Sequence, residues 1–154
     1  MMKQRFYLDT SVFGGVFDWE FEEWTLQLFE RIKLGKVMCL YSELIETELL
    51  DAPDRVKKFF IELPKENMEK VQINDDILSL AMKYIDEKVV GQTSLDDCIH
   101  IATATFYKAD ILVSWNFKHI VNVYRIRGYN SVNLRMNYQS LEIRSPKEII
   151  DYED

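Results

Sequence analysis

The sequence predicts an α/β/α sandwich built on a mainly parallel sheet, and two observations carry that expectation. Short apolar runs such as "RFYLD" (5–9), "KVMCLYS" (36–42) and "DILVSW" (110–115) read as strands covered on both faces. Between them lie amphipathic stretches long enough to serve as crossover helices, which parallel neighbours require.

The elements follow in order. After the first strand, "WEFEEWTLQLFERIKLGK" (19–36) is a helix with Phe21, Trp24, Leu28 and Ile32 at three- and four-residue spacing and Gly35 as its stop. The second strand ends at Ser42, which has the form of a cap for the helix "ELIETELLDA". Residues 54–65 and 75–88 read as helices, with an extended piece at 71–73 between them. Ser94 opens a further helix, "SLDDCIHIATA", with the S-x-x-D spacing of a capping box to Asp97. The strand 110–115 leads to a helix over 117–128, stopped by Gly128. A last strand, "LEIRS" (141–145), runs into "SPKE", a helix start with serine, proline and glutamate in capping-box order.

At 154 residues and 47% hydrophobic, the chain is expected to form a single domain over 1–154. Its formal charge of −7 excludes a nonspecific polyanion binder, so any nucleic-acid contact must be local or metal-mediated. Cys39 and Cys98 sit in apolar contexts without metal-like spacing, as buried free thiols of a reducing compartment do. The amino terminus meets Asp9 too early for a signal peptide, and no apolar run reaches the roughly 20 residues that span a bilayer, so no membrane role and a cytoplasmic location are expected.

Ligands of parallel α/β sheets bind outside the carboxyl ends of the strands, which directs attention to acids just past those ends. Asp9 closes the first strand and is followed by the hydroxyls of Thr10 and Ser11 and by Gly14 and Gly15, although an N-cap role also fits it. In the next helix Glu48 falls within the apolar stripe of Leu44, Ile45, Leu49 and Ala52, whereas Glu46 is turned roughly 200° away. A carboxylate on a packed face needs a cation or metal partner, unless it reaches water at the stripe's edge. Asp96 is accounted for by the helix dipole, while Asp97 heads a helix that returns beneath the sheet towards Asp9. His100, one turn on, can bond Asp97 or serve as a satisfied core residue. Asn116 follows the fourth strand, and Lys118 and His119 come after it where phosphate oxygens can be met.

Three carboxylates converging from separate segments suit a hard cation, Mg²⁺ or Mn²⁺, and such a centre serves phosphoryl transfer. The stretches "FYLDTSV", "SELIETELLDAP", "DDCIHIATA" and "ILVSWNFKHI" resemble, in order and spacing, the PIN-domain ribonucleases, including VapC-like toxins of type II toxin–antitoxin pairs. The resemblance covers roughly residues 4 to 120, and the tail after Gly128 is also similar to tails in one branch of the family. It implies a PIN-like sheet of about five strands, a Mg²⁺- or Mn²⁺-dependent endoribonuclease acting on RNA, an antitoxin partner with a basic segment, and a homodimer. Carried over, the metal acids fall on Asp9, Glu48 and Asp97, with Asn116 standing where many members carry a fourth acid. Asn116, Thr10, Ser11 and Lys118 then become candidates for placing water or the scissile phosphate. A second reading keeps the fold without the catalysis: a binding module whose acidic cleft grips a basic partner segment.

Overall fold

The computed structural model describes residues 3–91 and 94–152. Its sheet has five strands, all parallel, in the order β3-β2-β1-β4-β5. They are β1 (Gln4–Leu8), β2 (Val37–Ser42), β3 (Met68–Val71), β4 (Ile111–Val113) and β5 (Glu142–Arg144). The central strand β1 is buried on both faces at its carboxyl half, where Tyr7 and Leu8 alternate sides and neither sees solvent.

The chain runs outward from β1 through β2 to β3, then crosses back to place β4 on the other side of β1. The order therefore reverses between β1 and β4, and the crevice beyond their carboxyl ends is the topological switch point. Register sharpens this placement. Tyr7 pairs with Leu40 and Leu8 with Val113, so the residues one step past the strands, Asp9 and Ser114, lie level with Ser42.

The helices are α1 (Thr10–Gly15), α2 (Glu22–Lys33), α3 (Glu43–Leu49), α4 (Asp54–Ile61), α5 (Asp75–Asp86), α6 (Leu95–Phe106), α7 (Val123–Arg135) and α8 (Pro146–Asp151). Helix α6 is buried almost all round, and Ala102 and Ala104 give it the close approach the sequence suggested. Gly35 stops α2 with φ of 75°, a conformation few side chains tolerate. Among the described residues no helix is long and apolar enough to cross a membrane. Cys39 and Cys98 are buried and unbridged, and burial pushes the Cys98 thiol up to about 12.

Several local expectations are corrected. Helix 117–128 is displaced: α7 starts at Val123, capped by the Asn122 side chain, and continues through Gly128 to Arg135. Gly128 is a packing point, because a Cβ there would meet Val89 Cγ1 at 2.9 Å. The caps at Ser42 and Ser94 make no side-chain hydrogen bond to the helix, whereas the box at Ser145 and Glu148 forms as expected. Helix α2 begins at Glu22, leaving Trp19 outside it and 86% exposed. Its other aromatic groups are absorbed by packing. Phe21 stacks on Trp115 at 4.1 Å, Trp24 lies 6.3 Å from the same ring, and Phe29 meets Phe13 and Phe59.

Candidate metal centre

Asp9 leaves β1 at the switch point and is 5% exposed. It occupies the cap position of α1, but its side chain makes no capping bond. Its Oδ2 instead accepts hydrogen bonds from Ser11 Oγ and Ser114 Oγ, each at 2.8 Å. Both serines are themselves fixed: Ser11 Oγ accepts from the Trp115 amide at 3.0 Å and Ser114 Oγ from the Asn116 amide at 2.9 Å. The first loop and the end of β4 are thus tied together through one carboxylate oxygen.

Glu48 reaches the same crevice from the second turn of α3, half-buried, while Glu46 points outward to Lys70 at 2.8 Å. The stripe argument for Glu48 holds in three dimensions. Its Oε1 accepts from Thr10 Oγ1 at 2.7 Å and from His100 Nε2 at 2.5 Å. Burial opposes ionisation, yet the bonds from His100 and Thr10 outweigh it and hold the Glu48 carboxyl below its usual range. As an ionised carboxylate can only accept, His100 must carry its proton on Nε2.

His100 is completely buried, and its Nδ1 meets Tyr7 Oη at 2.7 Å, which in turn meets Ser42 Oγ at 2.8 Å. Its pKa is raised: burial favours the neutral ring, but Glu48, Asp9 and Asp97 together favour the cation more. The one-turn spacing to Asp97 suggested a bond that is not the one formed, since Nε2 is directed to Glu48 and lies 3.9 Å from Asp9 Oδ1. Atoms of Asp9, Glu48 and His100 lie within 4.8 Å of one another, a group that does not include Asp97, but with Nε2 protonated toward Glu48 and Nδ1 engaged by Tyr7 the His100 ring supports the acids and has no lone pair for a metal.

Asp97 stands half-buried in the first turn of α6, with Asp96 beside it in solvent. Its Oδ2 accepts from Asn116 Nδ2 at 3.3 Å. Burial and then the charge of Asp9 push the Asp97 carboxyl up to about 6, with smaller contributions from Glu48 and Asp96 and a lowering pull from His100. Asn116 is held in turn, its Oδ1 accepting from the His119 amide at 3.0 Å. Lys118 is exposed in the turn ahead of α7. The hydroxyls of Thr10 and Ser11, expected at water or phosphate, donate to the carboxylates instead. Ser114 and Tyr7 were not singled out from the sequence, and Ser42 only as a helix cap, although the β1–β4 register places Ser114 opposite Asp9.

The donor set fits a hard divalent cation. Each carboxylate keeps one oxygen outside the hydrogen bonds just described, and Asp97, its carboxyl raised first by burial and then by the charge of Asp9, would be favoured in its ionised form by a cation.

Fold and centre together define a doubly wound parallel α/β protein with an acidic cluster at its switch point. No protein-family model and no curated protein matches the chain. Solved structures do. VapBC2 from Rickettsia felis, bound to a promoter DNA fragment, is similar over 92% of this chain and 98% of its own, at 12% identity and a TM-score of 0.58. DNA-bound VapBC from Salmonella typhimurium is similar over 94% and 99%, at 14% identity and 0.59. A toxin–antitoxin complex from Klebsiella pneumoniae is similar over 73% and 87%, at 18% identity and 0.54. At these identities the likeness is one of fold, and the fold that this chain shares with them is PIN-like.

Proposed function

We propose that the protein is a Mg²⁺- or Mn²⁺-dependent endoribonuclease, the toxin of a toxin–antitoxin pair, acting in the cytoplasm. One observation supports the reading: where the parallel sheet reverses its order, Asp9 just past β1 and Glu48 of α3 lie within 4.8 Å of one another, and Asp97 at the start of α6 feels the charge of both. Asp9, Glu48 and Asp97 would hold the ion. When bound, it supplies a more acidic water and stabilises charge on the leaving oxygen of a phosphodiester.

The chain's own residues do the rest. Ser11 and Ser114 orient Asp9, Thr10 and His100 orient Glu48, and the Asn116 amide orients Asp97. Asn116 adds no charge where a fourth acid would stand, which favours a single ion. Lys118, exposed just past β4, would meet an RNA phosphate. The fold neighbours are VapBC assemblies, which supports a cognate antitoxin whose basic segment the acidic crevice would accept, and a homodimer completes the proposal.

A thermal-melt titration with Mn²⁺ tests the centre without knowledge of the substrate. A hundredfold excess over the dissociation constant raises stability by about 2.7 kcal/mol. The wild type is expected to show that rise and Asp97→Asn to lose it, with RNA cleavage abolished in both Asp9→Asn and Asp97→Asn while their folds persist. Partner binding indifferent to chelator, with no cleavage of any RNA, would instead establish a binding module.

A further inference from the structure

We infer that the hydrogen bonds behind the acidic centre preset Asp9 and Glu48 as one-oxygen ligands, and that Thr10 and His100 thereby make the centre select Mg²⁺ and Mn²⁺ over Ca²⁺. This rests on the metal reading above.

The same asymmetry recurs at Asp9 and Glu48, and Asp97 shows a weaker form of it with a single 3.3 Å bond. Asp9 receives both of its donors on Oδ2, Glu48 both of its donors on Oε1, and Asp97 its donor on Oδ2. An oxygen that accepts two hydrogen bonds has committed both lone-pair directions. The opposite oxygen of Asp9 and of Glu48 takes part in none of these bonds.

The donors cannot easily withdraw. Ser11 and Ser114 are pinned by backbone amides, and His100, wholly buried, is pinned through Nδ1 by Tyr7 and through Tyr7 by Ser42. Turning Glu48 to present both oxygens would strip His100 Nε2 and Thr10 Oγ1 of their acceptor, leaving a buried N–H unmet.

Cation preference follows from ligand count. Ca²⁺ takes about 6–8 oxygens and commonly gains them from bidentate carboxylates, whereas Mg²⁺ wants about six at short range and keeps several waters. Two one-oxygen carboxylates, joined by Asp97 and completed by water, satisfy the smaller ion and underfill the larger one. Thr10 and His100 act as positioning residues here, because Glu48 comes from a helix and has the longest side chain of the three.

Calorimetric titration at pH 7.5 of wild type, Thr10→Val, His100→Leu and His100→Gln with MnCl₂, MgCl₂ and CaCl₂ separately tests the inference. Wild type is expected to bind Mn²⁺ and Mg²⁺ at least tenfold more tightly than Ca²⁺. Thr10→Val and His100→Leu are expected to shrink that ratio several-fold by freeing Oε1, and His100→Gln, whose amide can donate to the same oxygen, to restore it. Wild-type selectivity retained in Thr10→Val and His100→Leu overturns the inference while leaving the metal centre standing, as does wild type that takes Ca²⁺ as tightly as Mg²⁺. Wild type that binds none of the three cations overturns the metal reading and the inference with it. If melting in chelator shows His100→Leu unfolded, Thr10→Val, at the partly exposed start of α1, decides the matter alone.

Discussion

At the scale of the residue, Asp97 carries a cost to the fold that serves the centre. Its carboxyl ionises near 3.8 in an unfolded chain and at about 6 in the native one. Between those values the native state holds the extra proton, so stability falls as pH rises through that window and the whole cost is present at pH 7. Asp97→Asn is therefore expected to stabilise the metal-free protein by about 1–2 kcal/mol at pH 7.5, a value discounted for partial exposure, and to be neutral near pH 3.5. Denaturant melts in chelator at the two pH values check this, and a variant less stable than wild type at pH 7.5 would contradict it. The same proton competes with the ion, so Mn²⁺ affinity should decline below about pH 6. The three acids themselves were legible in the sequence because each is local: one ends a strand, one sits in a helical stripe, one opens a helix. Their supports were not. His100 meets Glu48 across 52 positions and Ser114 meets Asp9 across 105, contacts that only the packed sheet creates.

At the scale of the element, the parallel fold was legible from apolar runs and helical spacing, while boundaries and caps failed where long-range packing competes with local chemistry. Ser42 has a good cap's position, but Tyr7 Oη takes its hydroxyl; Ser145 has no such rival and forms its box with Glu148. Ser145→Ala should accordingly cost about 1 kcal/mol by loss of the cap. The aromatic groups at the start of α2 have a packing role at the end of β4. Phe21 and Trp24 clamp Trp115, whose Nε1 donates to Thr25 Oγ1 at 2.9 Å, and this anchors the residue immediately before Asn116. Gly15 is the contact point: a Cβ there would lie 2.8 Å from Trp115 Nε1 and 2.9 Å from Thr25 Oγ1. Gly15→Ala is expected to destabilise by about 1–3 kcal/mol through overpacking and to shift tryptophan emission. Unchanged melting and emission would show that α1 yields without disturbing the clamp.

At the scale of the whole molecule, the net charge of −7 shapes how RNA would arrive. Proteins that bind nucleic acid through many Lys and Arg contacts release many counterions and lose affinity steeply with salt. This chain has 19 basic against 26 acidic side chains, and several exposed cations are already matched with acids, as in Lys70–Glu46, Arg135–Glu87 and Lys147–Asp151. The acidic crevice repels a phosphate until a cation occupies it. RNA association should then depend on the ion and vary little with monovalent salt. Fluorescence anisotropy with a cleavage-resistant phosphorothioate oligoribonucleotide is expected to show binding in Mn²⁺, at least a tenfold loss in chelator, and a log–log salt slope no steeper than about −2, equivalent to roughly two phosphates neutralised by side chains. Tight binding in chelator with a steep slope would mean that a basic surface, and not the centre at the switch point, recruits the RNA.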